Sequence, residues 1–248
     1  METDKSFELC AVRERSEPGG NLVFLKIDTT APVAAPGQFA MLRGPWGDAP
    51  LLPRAISYCD AGPGWALFLF RVQGEGTRRL AGLSVGDRLS VAGPLGNAFP
   101  GSANPWLIAG GVGLPPLWFY SKRFGGRLFW GVPSLFASAG LAKPDWLVAS
   151  DDGSLGFHGN CVDLFSAELE KTDAGGVPDA VFSCGPYPMM SALKTVCAQR
   201  ELPLLVSLEG KMACGIGVCC GCAHPATAGG YVHVCEKGPI FPAAEVQL

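Results

Sequence analysis

Four cysteines near the carboxyl end carry the strongest chemical signal in this chain of 248 residues. Cys214, Cys219 and Cys222 follow the spacing C-x4-C-x2-C, and Cys235 comes after a further twelve residues. Four thiolates can hold two irons bridged by sulfide, and the first three cysteines repeat the plant-type spacing for a [2Fe–2S] cluster. Gly215, Gly217 and Gly221 are interleaved with them. Glycine admits φ > 0 and removes the Cβ that would hold backbone N–H groups away from sulfur. Such N–H groups stabilise the charge of a cluster and tune its potential. A structural zinc site would favour C-x2-C pairs with a distant second pair, often with histidine. Here three spaced cysteines share one loop, and His224 and His233 stand at no ligand spacing. A disulfide framework suits a small secreted chain rather than one of this length. Cys220 is a fifth candidate ligand; the template selects Cys219 and leaves Cys220 packed beside the cluster.

Two further loops could meet a nucleotide. Ala109-Gly-Gly-Val-Gly-Leu-Pro-Pro116 follows an expected strand and opens an expected helix. A dinucleotide pyrophosphate sits at such a junction, on the unpaired N–H groups of the helix start. Gly111, Val112 and Gly113 form the tight turn. The third glycine of G-x-G-x-x-G is replaced by Pro116, which suits a first helical turn. A plain structural turn is the competing reading. Ser183-Cys-Gly-Pro-Tyr-Pro-Met189 repeats the strand-to-helix arrangement, so Cys184, Gly185 and Pro186 fall on the carboxyl edge of the same sheet, where nicotinamide is expected. Cys184 taken alone reads more readily as a buried cysteine in a turn. Nearer the amino end, Arg54 and Arg71 offer forked donors to phosphate, with Ser57, Gly76 and Thr77 as hydroxyl or backbone donors. Singly, each arginine is an ordinary surface charge; beside a nucleotide-type sheet and a cluster loop they suggest a flavin dinucleotide.

The elements that must position these groups divide into three. Short strands expected at Phe7–Arg13, Asn21–Ile27, Gln38–Leu42, Ala55–Tyr58, Trp65–Val72 and Asp87–Ala92 are separated by glycine- and proline-rich breaks, with no helical pattern. That favours a small antiparallel β-barrel over residues 1–103. Beyond it, apolar strands at Trp106–Ala109, Arg127–Trp130, Trp146–Ala149, Ala180–Cys184 and Leu204–Leu208 alternate with helices. The clearest helices are Leu117–Phe124, Asn160–Glu170 and Pro188–Arg200. Such alternation predicts a parallel α/β sheet over residues 104–208. The cysteine module fills residues 209–248. The fold class is thus mixed β and α/β.

Composition narrows the partners. A net charge of −3 and a pI near 5.6 argue against nucleic-acid binding. The apolar run Trp106 to Tyr120 is too short and too broken by glycine and proline to span lipid. The amino-terminal Met-Glu-Thr-Asp-Lys lacks the pattern of a signal peptide, and ten cysteines without an export signal predict a reducing cytoplasm. A hydrophobic share of 48% with only 17% charged residues suggests large buried surfaces, including one against another subunit.

These elements in this order resemble the ferredoxin-reductase superfamily. The carriers are Pro36-Gly-Gln-Phe39, Arg54-Ala-Ile-Ser57, Gly93-Pro-Leu-Gly-Asn-Ala-Phe99, Gly110-Gly-Val-Gly-Leu-Pro-Pro116 and Cys184-Gly-Pro186. The cysteine loop, Val234-Cys-Glu-Lys-Gly-Pro-Ile-Phe241 and Ser150-Asp-Asp-Gly-Ser154 narrow the likeness to the electron-transfer subunits of class B, NAD-linked dihydroorotate dehydrogenases. The resemblance implies FAD held by Arg54, Ala55, Ile56 and Ser57, by Leu69, Phe70 and Arg71, and by Gly76 and Thr77. It implies a [2Fe–2S] cluster on Cys214, Cys219, Cys222 and Cys235. It also implies NAD(H) at the α/β domain, pyrimidine biosynthesis, and an FMN-containing catalytic partner in a heterotetramer. Ala55 departs from the proline usual after the arginine, and Cys220 stands where a larger residue is common. No acid–base pair or reactive nucleophile stands out, as expected of a subunit that moves electrons. The alternative is an NAD(P)H reductase subunit of another flavin–iron–sulfur complex, serving a hydrogenase, sulfur or ferredoxin-linked enzyme.

Overall fold

The computed structural model describes residues 7–173 and 175–248. Its first third is a closed antiparallel barrel of β1 (Glu8–Gly19), β2 (Leu22–Asp28), β3 (Phe39–Arg43), β4 (Arg54–Gly62), β5 (Trp65–Arg71) and β6 (Arg88–Leu95), in the order β1-β2-β5-β4-β3-β6. Alternating positions point inward, which buries Leu25, Ile27, Ala40, Leu42, Phe68 and Leu89 in one core. The expected strands are present, but the segment is not free of helix: α1 (Glu75–Ala81) follows β5. Its seven residues, one of them Gly76, are too few for an apolar period to show. What holds it is local. The Thr77 hydroxyl accepts from the N–H groups of Gln73 (3.0 Å) and Gly74 (3.1 Å), securing the first turn.

The second unit is built on β7 (Pro105–Gly110), α2 (Leu114–Phe124), β8 (Arg127–Val132), α3 (Leu135–Ser138), β9 (Leu147–Ser150), β10 (Phe157–His158), α4 (Cys161–Lys171), β11 (Ala180–Cys184), α5 (Tyr187–Gln199) and β12 (Leu204–Ser207). The sheet order β10-β9-β8-β7-β11-β12 is parallel throughout. Both faces of β7 are covered: Trp106 and Ile108 pack into one core, Leu107 and Ala109 into another. This explains why the strand is continuously apolar. α2 begins three residues before its expected start, because Pro115 and Pro116 occupy a first turn that needs no N–H donors. Asn160 caps α4, its Oδ1 accepting from Val162 (2.9 Å) and Asp163 (3.0 Å).

The last forty residues do not stand apart. After β13 (Ala223–Pro225), β14 (Tyr231–His233) and α6 (Val234–Lys237), the strand β15 (Ile240–Pro242) adds antiparallel to the edge of the sheet, pairing Val206 with Phe241. On the other side, the end of β6 holds the same segment. Asn97 Nδ2 donates to the carbonyls of Lys237 (3.1 Å) and Ile240 (2.8 Å), while its Oδ1 accepts from Ile240 N–H (2.9 Å). A Cβ at Gly96 would lie 2.8 Å from the Gly238 carbonyl. Gly93-Pro-Leu-Gly-Asn97 is therefore the joint between barrel and cysteine module.

Candidate functional site: a cluster loop, a cleft and two strand-end turns

The cysteine loop packs on the barrel, and one glycine decides how closely. Gly215 has φ +73°, and a Cβ there would stand 2.5 Å from Met41 Cγ. With that residue in place, backbone N–H groups converge on sulfur. Ile216 and Cys219 donate to Cys214 Sγ (3.5 and 3.4 Å), Gly217 to Cys235 Sγ (3.1 Å), Gly221 to Cys219 Sγ (3.4 Å) and Cys235 to Cys222 Sγ (3.4 Å). The four sulfurs fall into two pairs: Cys222 and Cys235 lie 3.2 Å apart, and Cys214 neighbours Cys219. Among the described residues, no three His, Cys, Asp or Glu side chains converge on a single-ion site. Two thiolate pairs suit a binuclear cluster, one pair to each iron. Burial opposes the Cys214 thiolate, yet the Ile216 and Cys219 N–H groups outweigh it and pull its pKa down to about 6. Cys235 goes the other way, pushed up to about 12 by burial and by its hydrogen bond with Cys222. Cluster binding would expel that proton. Cys220 has φ +56° and is exposed, with no sulfur contact among the described residues.

Between barrel and sheet lies a cleft of about 240 Å³. It is lined by Arg54, Ala55, Ile56, Ser57, Leu69, Phe70, Arg71 and Thr77, eight of the nine residues expected to hold FAD. Gly76 lies outside the lining and acts through its neighbour: a Cβ there would stand 2.1 Å from Arg54 Nε, so its absence makes room for the guanidinium. Arg54 Nη1 also donates to the Leu52 carbonyl (2.7 Å), which aims the fork. A cleft lined by two arginines and by apolar side chains fits a flavin dinucleotide: cations for the pyrophosphate, and Ala55, Ile56 and Leu69 for an apolar ring.

The two turns expected to hold NAD meet at one edge of this cleft. β7 and β11 are neighbours, with Ala109 opposite Cys184, and sheet order diverges from them in both directions. That is a topological switch point, where ligands bind in open α/β sheets. Gly113 presses on the second turn so closely that a Cβ would meet the Cys184 carbonyl at 2.2 Å. Likewise a Cβ at Gly185 would lie 2.9 Å from Gly110 Cα. Trp130 Nε1 donates to the Gly111 carbonyl (2.9 Å) and pins the first turn. Val112 reaches the cleft, while Pro186 caps the start of α5. Cys184 is buried beneath the turn, and burial, with the charge of Glu209, drives its pKa upward. It is an inert wall rather than a reactive thiol.

Sequence reasoning missed Ser207, Glu209, Gly210 and Met212, which line the cleft from the sheet side. Their signal was available: they continue the carboxyl end of a parallel strand and run directly into the cysteine loop. The cleft therefore touches the dinucleotide turn on one flank and the cluster segment on the other.

Comparisons with known proteins agree with this arrangement. Residues 209–247 match the model of the iron–sulfur cluster binding domain of dihydroorotate dehydrogenase B. The dihydroorotate dehydrogenase B (NAD(+)) electron transfer subunit of Geobacillus thermodenitrificans (strain NG80-2) is 36% identical over 231 residues, covering 86% of this chain and 87% of that protein. The corresponding subunit of Enterococcus faecalis (strain ATCC 47077 / OG1RF) is 35% identical over 232 residues, covering 86% and 87%. Among solved structures, an NADH-dependent reduced ferredoxin-NADP oxidoreductase superposes with a TM-score of 0.82 at 24% identity, covering 100% of this chain and 91% of that one. A ferredoxin NADP+ reductase from Neisseria gonorrhoeae superposes at 0.62 with 14% identity, covering 79% and 92%. The structural likeness shows a shared fold, and 36% identity to a curated subunit over 86% of the chain shows more: the chain belongs to the dihydroorotate dehydrogenase B (NAD(+)) electron transfer subunit family.

Proposed function

We propose that this protein relays electrons between NAD(H) and a catalytic partner that oxidises dihydroorotate to orotate, through FAD in the cleft and a [2Fe–2S] cluster on Cys214, Cys219, Cys222 and Cys235. The observation that carries the reading is adjacency. One cleft is lined by Val112 of the dinucleotide turn, by Arg54 and Arg71 of the barrel, and by Met212 at the threshold of the cysteine loop. Nicotinamide exchanges a hydride and an iron–sulfur cluster exchanges single electrons; a flavin does both, so it belongs between them.

Each part of the chain has its task. Arg54 and Arg71 hold the flavin pyrophosphate, and Ala55, Ile56 and Leu69 give its ring an apolar seat. Gly111 and Gly113 let the nicotinamide dinucleotide approach the backbone, and Cys184–Pro186 bound its reactive end. The cluster loop is buried on one side, at Cys222 and Cys235, and open on the other, where Val218 and Cys219 are exposed. That open rim is the side from which electrons pass to the partner, whose acceptor in this reading is FMN, within a heterotetramer. The setting is cytoplasmic pyrimidine biosynthesis. No helix among the described residues is long and apolar enough to cross a membrane.

The test is an anaerobic visible spectrum with iron, sulfide and flavin assays, followed by coexpression with the FMN subunit. A brown protein with two irons and one FAD, bleached by NADH, and a complex that oxidises NADH when given orotate, are the expected results. A colourless, zinc-loaded protein without flavin would overturn the reading.

A further inference from the structure

Glu209 is the single carboxylate in the lining of the cleft, which holds no histidine, lysine, tyrosine or cysteine. Every other lining group that carries charge is an arginine, Arg54 or Arg71, and guanidinium does not give up a proton. Glu209 and Gly210 also line a second cavity, of about 270 Å³. That cavity opens between Tyr187 and the cluster loop, and Lys211, Cys222 and His224 also line it. Among the described residues, nothing donates to the Glu209 carboxylate. Its backbone carbonyl accepts from Tyr187 Oη (3.2 Å), and Tyr187 stacks on His224 with ring centroids 5.7 Å apart, which secures the second cavity's wall. Glu209 is exposed, so a carboxylate that lines both spaces is also open to solvent.

The proposed reaction has a use for a carboxylate placed in this way. In the NADH-oxidising direction, a hydride leaves nicotinamide for flavin N5. Two electrons then depart singly through the cluster to a one-electron acceptor beyond it. Neither transfer removes the proton that arrived as part of the hydride, so one proton per two electrons must leave N5 for solvent. In the opposite direction one must arrive.

We propose that Glu209 exchanges this proton, taking it from or returning it to flavin N5 and passing it to solvent through the second cavity. The assignment rests on the flavin–cluster reading above. Desolvation beside the cleft raises the carboxyl's pKa from its ordinary value, the direction that favours both accepting and releasing a proton nearer neutral pH. The charges that face it are Arg54 and Arg71 from the barrel and Lys211 from the cluster segment, with neutral Cys184 and Tyr187 on the sheet side.

The test uses the full chain with its cofactors, as wild type, E209Q and E209D. Stopped-flow absorbance follows flavin reduction by NADH and then reoxidation by excess ferricyanide, in H2O and D2O. Reduced-minus-oxidised infrared spectra follow the carboxyl C=O stretch. We expect E209Q to slow reoxidation by about tenfold or more, with a changed solvent isotope effect, partial rescue by E209D and much less change in reduction by NADH. The infrared carboxyl band is expected in the wild type and absent from E209Q. Wild-type reoxidation in E209Q would overturn the proposal. So would equal slowing of both phases with loss of bound flavin, which marks a packing role. A wild-type protein without flavin, or one not bleached by NADH, would overturn the electron-relay reading itself, which separates that failure from failure of the proton assignment alone.

Discussion

Gly113 offers the sharpest test of how the two strand-end turns are joined. Its φ of −71° and ψ of −2° are open to any residue, so Gly113→Ala carries no torsional cost. The cost is steric. The new methyl would stand 2.2 Å from the Cys184 carbonyl oxygen, 2.5 Å from its carbon and 2.8 Å from Gly185 N. All three are backbone atoms of a turn at the end of a buried parallel strand, so no rotamer can relieve the overlap. Reaching van der Waals contact requires the turns to separate by about 1 Å. Overpacking of this kind costs about 1–3 kcal/mol, or roughly 2–12 °C in Tm for a chain of this size. A displacement of that order at a reacting pair also lowers rate by about a hundredfold. FAD should remain bound, because its expected contacts lie on the barrel. The assay is anaerobic stopped-flow reduction of bound flavin by NADH, with flavin content and Tm measured on the same sample. Gly111→Ala is the control: its φ of +52° costs about 1–2 kcal/mol, but its Cβ meets only the Arg71 Nη2 at 3.4 Å. A G113A protein with wild-type Tm and wild-type bleaching by NADH would refute the close contact and its link to hydride transfer.

Other expectations follow from the same geometry. Cys219→Ser should abolish most of the visible cluster absorbance while Cys220→Ser retains it, since Cys219 receives the Gly221 N–H and Cys220 stands clear of the other sulfurs; iron content of the two proteins decides this. Asn97→Ala should loosen the joint between barrel and cluster segment by removing three hydrogen bonds, at about 1 kcal/mol each, read as a fall in Tm and faster loss of iron. Asp179 accepts from the Ser102 hydroxyl and from the N–H groups of Ala103 (2.8 Å) and Asn104 (3.1 Å), and these hold its pKa below the ordinary carboxylate value. A depressed pKa adds stability above the unfolded-state value and loses it as pH falls through the folded one. Asp179→Asn should therefore lower Tm slightly at neutral pH, with the difference closing in acid, as thermal melts across that range would reveal.

How much was legible before the fold was known differs from element to element, for physical reasons. The cysteine spacing marked out the iron–sulfur module because four thiolates in a glycine-rich loop are a local chemical pattern, and residues 209–247 match that domain. Strands such as Trp106–Ala109 were legible because burial on both faces demands an unbroken apolar run. α1 was not, since seven residues around Gly76 present no period and rely on the Thr77 cap. β15 was not, because three residues carry too little pattern, and their strand character comes from pairing with β12.

Residue types and their spacing thus determined on their own the class of chemistry, the barrel-then-sheet order and the place of the iron–sulfur module. Tertiary structure alone decided what stands next to what. Glu209 lies more than a hundred residues from Arg54 and Arg71 in the sequence, yet all three line one cleft. Asn97 reaches across to Ile240, and Gly113 to Cys184. Such contacts depend on closure of long loops and on backbones approaching within a methyl's width, and a linear pattern encodes neither. The carboxylate therefore acquired its proposed role only when the fold set it between a cleft and a second cavity.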